Sequence, residues 1–215
     1  MKIDRGPFKT DPDVLVVKHL NLSWNGEGKF KWEITHNGKR INIKKKLMPS
    51  LLKMTANHCA FCDYYPLTSD FFHPSIEHFY PKCIDKYPEK AYEWENLFPS
   101  CNGCTEKKDN DFNLDLLKPD DVNYSFERYF EVTGDGKLCP SKIADKDSID
   151  RAKITIKIYQ FNTRGMLLSE RKKWIELYKE NSIFAKNPDE HPFRFLIPVF
   201  NYVTNPDDLI NDFLQ

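Results

Sequence analysis

Hydrophobic residues recur throughout the chain, and their spacing changes from one segment to the next. Over residues 29–43 they alternate in places with polar residues, at Phe30, Trp32 and Ile34, before a turn signal at 36–38. Alternation on both sides of such a turn is typical of a β-hairpin, which we predict here. The preceding stretch is predicted to hold an extended arm (1–12), a short buried element (14–22) and a turn (25–28).

A short helix is predicted from Ser50 into the segment before the first cysteine. A serine hydroxyl can accept hydrogen bonds from the backbone N–H groups at a helix start, and Leu51, Leu52 and Met54 supply apolar positions. The segment 109–121, by contrast, is acidic and is predicted to be a loop.

A second hairpin is predicted over residues 124–138, because Gly134-Asp135-Gly136 favours a turn. Alternate positions before that turn would place one set of side chains on a common face of the strand. Those side chains are Phe126, Arg128, Phe130 and Val132.

The pattern over residues 147–160 fits two structures. Ile149, Ala152, Ile156 and Tyr159 recur at helical spacing, whereas the isoleucines at 154, 156 and 158 alternate as in a strand. The polar start of the segment favours a helix. A further helix is predicted over 165–181, with one apolar side, and a last packing segment over 193–203.

Composition places the chain among soluble globular proteins and leaves its partners open. It has 215 residues, of which 40% are hydrophobic and 30% charged, and its formal net charge is +0. Bulk charge therefore gives no support to nucleic-acid binding, although a local basic patch remains compatible with it. No apolar run approaches the ~18–20 residues of a membrane span, and residues 1–12 lack a signal-peptide pattern. We expect a cytoplasmic protein with no membrane association.

Four of the six cysteines predict a structural zinc site. Cys59 and Cys62 form one Cys-x2-Cys pair, Cys101 and Cys104 form another, and 38 residues separate the pairs. Thiolates prefer zinc, and four of them complete a closed tetrahedral site. Because a reducing cytosol disfavours disulfides, metal binding is the favoured interpretation. Cys83 and Cys139 have no partner at ligand spacing.

Between these pairs lies a candidate catalytic set. A nuclease must activate water and neutralise charge that builds on the phosphate, tasks suited to a neutral histidine and a divalent ion held by oxygen ligands. Glu77 and His78 offer both groups on adjacent residues. Neighbours on a strand point to opposite sides, so their joint action requires a local twist or a backbone contribution.

The order of the motifs resembles that of the zinc-containing HNH endonucleases. C-A-F-C at 59–62 is followed by I-E-H-F-Y-P-K at 76–82, W-E-N-L at 94–97 and C-N-G-C-T-E-K-K at 101–108. The resemblance implies a ββα-metal finger, a hairpin followed by a helix. It also implies that His78 is the general base, that Glu77 is a ligand of a catalytic Mg²⁺ or Mn²⁺, and that Asn96 pins the loop between the strands and orients the histidine.

One position departs from the HNH pattern. The third signature residue is usually His or Asn, whereas this chain has Thr105 directly after the last cysteine. A hydroxyl is a poorer divalent-ion ligand than an amide oxygen or an imidazole. Three alternatives stay open: Thr105 acts through water, Asn102 or Asp109 replaces it, or the metal site is impaired.

Basic residues could bind the phosphates of a nucleic acid. A basic run over 39–53 is most often a solvated face, and it gains weight as a phosphate-binding patch only beside a catalytic segment. The lysines predicted to contact nucleic acid are Lys44, Lys45, Lys46, Lys82, Lys107 and Lys108.

The same motifs are similar to those of HNH nucleases paired with an ABC-type ATPase in anti-phage defence, the Septu (PtuB) and retron-associated group. T-I-K-I-Y-Q-F-N at 155–162, with Leu167, Leu168 and Arg171, is similar to the helical region downstream in that group. The resemblance therefore favours a helix over 147–160 and implies an ABC-type ATPase partner.

Together these observations predict an α+β fold, with a ββα-metal (HNH) core stapled by a zinc ion that four cysteines hold. Residues 1–50 form the N-terminal arm and basic hairpin region, 51–120 the nuclease core, and 121–215 a hairpin plus C-terminal helices packed on it. The predicted function is hydrolysis of phosphodiester bonds in DNA, with RNA not excluded. The alternative is a catalytically inactive, zinc-stapled subunit that binds nucleic acid or docks a partner.

Overall fold

The computed structural model describes residues 3, 32–36, 38–67, 73–83, 85–180 and 187–198. Within these residues the chain forms helices and three two-stranded antiparallel sheets. The elements in chain order are β1 (Glu33–His36), β2 (Lys39–Asn42), α1 (Ile43–Met54), β3 (Pro74–His78), β4 (Leu97–Cys101), α2 (Asn102–Lys108), α3 (Phe126–Tyr129), β5 (Phe130–Val132), β6 (Leu138–Pro140), α4 (Lys146–Ile158) and α5 (Gly165–Glu180).

The predicted mixture of helices and small sheets is confirmed. The arm, the buried element and the turn predicted before residue 29 lie outside the described residues. Among the residues that are described, no helix is long and apolar enough to cross a membrane.

The first hairpin forms as predicted, but the helix after it begins earlier than expected. β1 pairs with β2, and α1 follows at once with Asn42, not Ser50, as its N-cap. The Asn42 side chain accepts a hydrogen bond of 2.8 Å from the backbone N–H of Lys45. Ile43, Leu47 and Leu51 bury one face of the helix. This burial outweighs the cost of Pro49 in the helix interior, on the order of 3 kcal/mol.

The central hairpin pairs the two motif segments. β3 and β4 are antiparallel, with Pro74 opposite Cys101 and His78 opposite Leu97. Helix α2 begins directly after β4. The connection between the strands contains two short 3₁₀ turns, Pro88–Lys90 and Trp94–Asn96. The hairpin thus has the cysteine Cys101 at one end and the histidine His78 at the other.

The hairpin predicted over 124–138 is correct only in part. β5 pairs with β6 across the predicted turn, but Phe126 and Arg128 lie in the short helix α3. Ser125 caps that helix by accepting a hydrogen bond from the Arg128 N–H at 3.3 Å. The capping bond ends the alternation that the sequence pattern indicated, so the four side chains do not share one strand face.

The ambiguous segment 147–160 is helical, as the polar start favoured. α4 begins after Asp145, whose carboxylate accepts a 2.7 Å hydrogen bond from the Ser148 N–H. The helix predicted over 165–181 is α5, which ends at Glu180 in the described residues. Beyond it, the segment 193–197 is buried except for a half-buried Arg194.

Two buried clusters hold these elements together. The larger one surrounds the four paired cysteines and includes apolar side chains from the C-terminal segments, such as Tyr159, Phe161 and Phe193. The smaller one lies between α1 and the central hairpin, where Leu47 and Leu51 join Leu97. The central hairpin therefore contributes to both clusters, which fixes the position of its functional side chains.

Candidate functional site

Four cysteines converge at the start of β3 and the end of β4. Their sulfur atoms all lie within 4.8 Å of one another, and all four residues are buried. Around a tetrahedral zinc with Zn–S bonds of ~2.3 Å, sulfurs lie ~3.8 Å apart. The Cys62 and Cys101 sulfurs are 3.7 Å apart. All four thiols are unbridged, so this donor set fits zinc.

Local backbone geometry turns the first cysteine pair inward. The Cys59 N–H donates to the Tyr64 carbonyl at 2.9 Å, and the Asp63 N–H donates to the Cys59 carbonyl at 3.0 Å. Asp63 takes a left-handed conformation with φ of 57°. These bonds close a tight loop around Cys62. The second pair is held differently, by the junction of β4 and α2.

Burial makes the cysteine cluster dependent on positive charge. Burial raises the pKa of Cys62 and of Cys104 well above the ordinary value. Neutral thiols would therefore persist at Cys62 and Cys104 without a cation, whereas hydrogen bonds from the other cysteines hold the pKa of Cys101 well below its ordinary value. A metal ion favours the deprotonated form of all four. Arg164, which sequence reasoning did not single out, donates hydrogen bonds to two of the sulfurs, those of Cys104 and Cys101.

Asn96 ties the interstrand connection to the hairpin. Its side-chain oxygen accepts from the Tyr80 N–H at 2.6 Å, and its amide nitrogen donates to the Tyr80 and Lys90 carbonyls at 3.0 and 2.8 Å. The Asn96 carbonyl also accepts from the Phe79 N–H. Asn96 is 1% exposed. An amide is the side chain that can both donate and accept in this way.

His78 ends β3 and is held by the same connection. Its Nε2 lies 2.9 Å from the Ala91 carbonyl oxygen. A carbonyl oxygen only accepts, so Nε2 carries the ring hydrogen and Nδ1 is the unprotonated nitrogen. Burial and the nearby charge of Lys82 lower the pKa of His78 from 6.5 to about 3, although the bond to Ala91 opposes this. The imidazole is therefore neutral across the physiological range.

Aromatic side chains cover the His78 ring. The Trp32 ring lies 5.7 Å from the imidazole, centroid to centroid, and meets Tyr92 edge-on at 6.5 Å. His78 is 5% exposed. Trp32 precedes β1, so the first hairpin contributes directly to the surroundings of the histidine.

Glu77 has a different set of partners from His78. Its carboxylate pairs with the Lys108 ammonium at 2.9 Å, and the same ammonium donates to the His78 carbonyl at 2.8 Å. Burial raises the pKa of Glu77 from 4.5 to about 7, against the opposing effect of Lys108 and Lys82. The adjacent side chains thus turn to separate partners, as strand alternation predicts.

Thr105 supplies an unsatisfied oxygen beside Glu77. Its hydroxyl Oγ1 is buried and has no hydrogen-bond partner among the described residues. It is close enough to Glu77 to favour the ionised carboxylate, although the two groups are not in hydrogen-bonding geometry. A carboxylate and an unpartnered hydroxyl are oxygen donors of the kind that Mg²⁺ and Mn²⁺ accept. Glu77 and Thr105 therefore supply two oxygen atoms suited to such an ion, with the Lys108 ammonium bonded to the carboxylate in this structure.

The two alternative third ligands are placed less favourably. The Asn102 side-chain oxygen already accepts from the Gly103 N–H at 2.9 Å, and Asn102 is exposed. Asp109 is exposed as well and ends α2 with φ of 41°. Thr105 is the position whose oxygen is both buried and unsatisfied.

The six predicted phosphate-binding lysines fall into separate environments. Lys45 and Lys46 are exposed on α1, where Lys44 is half-buried, and Lys107 is exposed on α2. Lys108 differs from the other five, because its side chain is 0% exposed and its ammonium is bonded to Glu77 and to the His78 carbonyl. In this arrangement it does not offer a surface for phosphate. Lys82 is half-buried near Glu77.

Comparisons with known proteins give one partial relationship. No protein-family model matches the chain. An 84-residue stretch is 37% identical to the Septu protein PtuB of Bacillus thuringiensis and covers 39% of this chain. The match spans only 32% of the length of PtuB, about a third of that relative. The chain is thus related in part to a Septu protein.

Proposed function

We propose that this protein is an HNH-type endonuclease that hydrolyses phosphodiester bonds in DNA, with RNA as the other candidate substrate. The observation that carries the proposal is the hydrogen bond between His78 Nε2 and the Ala91 carbonyl. It leaves Nδ1 as the nitrogen able to take a proton. The partial similarity to PtuB and the motif order support the same assignment.

The order of two strands and a following helix supports this proposal. β3 carries Glu77 and His78 at its end, Asn96 directly precedes β4, and α2 carries Thr105. Asn96 binds the backbone on both sides of the connection that holds His78. We assign Asn96 as the residue that orients the general base.

In the proposed reaction, His78 Nδ1 removes a proton from a water molecule as the water oxygen attacks phosphorus. The P–O3′ bond breaks, and the leaving 3′-oxygen takes a proton from solvent. Glu77 and Thr105 would hold Mg²⁺ or Mn²⁺, which when bound stabilises negative charge on the leaving oxygen. The lowered pKa of His78 keeps the imidazole unprotonated at neutral pH, and it also makes His78 a weaker base than an ordinary histidine.

The four cysteines are assigned to one structural Zn²⁺. Their buried, converging sulfurs complete a site with no open position for substrate. The role of this ion is to join the loop that follows α1 to β4 and α2. Zinc would therefore position the helix that carries Thr105 and Lys108.

Lysines on α1 and α2, exposed except for the half-buried Lys44, are assigned to phosphate binding. Lys44, Lys45 and Lys46 occupy the first turn of α1, and Lys107 lies in the last turn of α2. Lys82 and Lys108 sit closer to Glu77 and act there on the charge of the site. Such contacts would be independent of base sequence.

We further propose a role in anti-phage defence with an ABC-type ATPase as partner, in the cytoplasm. The support is the resemblance to the Septu and retron-associated nucleases together with the partial match to PtuB. The ATPase would control when the nuclease acts.

A second candidate is a zinc-containing subunit that binds nucleic acid or a partner protein without cleavage. The observation that favours it is the burial of the reactive groups: Glu77 is 4% exposed and His78 5%. The Glu77 carboxylate is also already paired with Lys108. Under this interpretation the ion pair is a structural bond.

Cleavage assays separate these candidates. Supercoiled plasmid, single-stranded DNA and transfer RNA would be incubated with the protein and Mg²⁺ or Mn²⁺. We expect cleavage by the wild type and by His73→Gln, an exposed histidine outside the set, and a loss of at least about a hundredfold in His78→Gln. Equal rates for the wild type and His78→Gln, or binding without cleavage in every assay, would favour the second candidate.

A further inference from the structure

A tetrathiolate zinc site carries a net charge of −2, and a buried charge is costly unless it is balanced. The four cysteines are buried. Hydrogen bonds from backbone N–H groups stabilise part of this negative charge. One example is the 3.3 Å hydrogen bond from the Cys101 N–H to the Cys59 sulfur. They bring no full positive charge.

Arg164 brings a positive charge directly to the sulfurs. Its Nη1 donates to the Cys104 sulfur at 3.0 Å and its Nη2 to the Cys101 sulfur at 3.5 Å. Although burial opposes its charge, the thiolates of Cys104, Cys62 and Cys101 raise the pKa of Arg164 above its ordinary value. Among the described residues, no carboxylate pairs with this guanidinium. Its partners are the thiolates.

Gly103 makes room for this approach. A Cβ atom added at Gly103 would lie 2.4 Å from Arg164 Nη2 and 3.0 Å from its Cζ. Any side chain at position 103 would therefore collide with the guanidinium. The collision involves the end of a flexible side chain, so the arginine would move while the backbone stays in place. The absence of a side chain at Gly103 therefore allows the guanidinium to reach the sulfurs.

A second buried arginine lies in the field of the same sulfurs. Arg171 is 0% exposed, and its Nη1 donates to the Gly136 carbonyl at 2.6 Å. Burial lowers the pKa of Arg171 to about 10, while Cys62 and Cys104 act in the opposite direction. In the part of the chain that is described, this guanidinium also has no carboxylate partner. Two arginines and a tetrathiolate zinc would balance in charge.

We propose that Arg164 belongs to the metal centre as an outer-sphere residue that balances the thiolate charge and slows loss of the metal. The proposal rests on zinc occupancy of the four cysteines and is independent of nuclease activity. Arg164 lies between α4 and α5, 60 residues beyond Cys104. The C-terminal part of the chain thereby completes a metal site whose ligands all lie before it.

The test measures zinc release from the full-length protein into a colorimetric chelator. We expect Arg164→Gln and Gly103→Ala each to release zinc about tenfold faster than the wild type, a usual effect of losing an outer-sphere contact. Arg151→Gln is the matched arginine control, because its guanidinium contacts Asp115 and Tyr129 and not the sulfurs. Gly134→Ala is the matched glycine control, since an added Cβ there meets nothing within 4 Å.

A double variant tests whether both residues act through one contact. Because Gly103→Ala is expected to displace the guanidinium that Arg164→Gln removes, the double variant should release zinc no faster than the single ones. Absorption of Co²⁺-substituted protein provides a second readout, and its thiolate bands should shift in the same variants. Wild-type release rates in Arg164→Gln would overturn the proposal, as would multiplied effects in the double variant. A wild type purified without zinc would overturn the zinc assignment as well.

Discussion

The cysteine centre and the Glu77–His78 site occupy opposite ends of the same hairpin, and they are organised in opposite ways. At the cysteine centre, side chains from separate segments converge until four sulfurs lie within 4.8 Å. At the other end, adjacent side chains turn to separate partners, Lys108 for Glu77 and the Ala91 carbonyl for His78. The four cysteines thus meet at one point, whereas Glu77 is held by a side-chain ion pair and His78 by a hydrogen bond to the backbone.

The two centres are linked through shared elements. β4 ends at Cys101 beside the metal site and begins at Leu97 opposite His78. Helix α2 carries Cys104 near its start and Lys108 at its end. A metal that fixes the start of α2 therefore also fixes the residues that face Glu77. Loss of a cysteine ligand should therefore disturb both sites, whereas substitution of His78 should affect only its own surroundings.

The largest expected effect is that of Cys101→Ser. Removing one thiolate should abolish zinc binding and destabilise the protein by more than about 5 kcal/mol, because metal-binding free energy is folding free energy in such sites. Zinc content by mass spectrometry and a denaturant melt would measure both. Cys139→Ser is the control, a half-buried thiol whose sulfur only approaches the Glu131 carbonyl at 3.7 Å. A stable Cys101→Ser protein that still binds zinc would contradict the assignment of Cys101 as a structural zinc ligand.

Asn96→Ala should have the next largest effect. It deletes three partly buried hydrogen bonds to the backbone of the interstrand connection, which amounts to about 3 kcal/mol. Zinc content should stay at the wild-type level, because the cysteines do not depend on this side chain. Chemical denaturation and amide hydrogen exchange over residues 79–91 would measure the change. Stability equal to that of the exposed variant Asn110→Ala would contradict it.

The pH dependence of stability should separate Glu77 from His78. Folding raises the Glu77 pKa from 4.5 to about 7, so the folded state binds the extra proton and Glu77 makes stability fall as pH rises through that window. Folding lowers the His78 pKa from 6.5 to about 3, so the unfolded state binds the proton and His78 makes stability fall as pH drops through that window. Between pH 5 and 6.5 the contributions oppose each other.

Two variants separate the contributions of Glu77 and His78 to the pH dependence of stability. As the pH is raised from 5 to 6.5, the free energy of unfolding of Glu77→Gln should rise by about 2 kcal/mol relative to that of the wild type. Over the same range, the free energy of unfolding of His78→Gln should fall by about 2 kcal/mol relative to the wild type. Urea denaturation at several pH values gives both differences. If the stability difference from wild type changes with pH in the same direction for both variants, folding does not shift the pKa values of Glu77 and His78 in opposite directions.

The sequence predicted the cysteine centre better than the surroundings of Glu77 and His78. Two Cys-x2-Cys pairs are a local pattern, and the ligand chemistry of thiolates makes their convergence the simplest outcome. The hairpin between them and the helix α4 were likewise readable from motif order and from a polar helix start. Each of these signals lies within a few consecutive residues of the chain.

Features that depend on tertiary contacts were missed. Arg164 lies far along the chain from the sulfurs that it contacts, and the only local signal for it was the glycine at Gly103. Lys108 was predicted to contact phosphate from its place shortly after the last cysteine, yet its ammonium is buried against the Glu77 carboxylate. The start of α1 was misplaced because Pro49 interrupts its pattern, while burial against the hairpin sustains the helix.

We propose that His78 performs the reaction and that the cysteine centre only supports the fold around it. The most direct test measures the single-turnover cleavage rate and the zinc content of His78→Gln on one preparation, using the substrate that the wild type cuts best. We predict one zinc per chain, a folded protein and a cleavage rate lower by at least about a hundredfold. Wild-type cleavage by this zinc-loaded variant would contradict the claim.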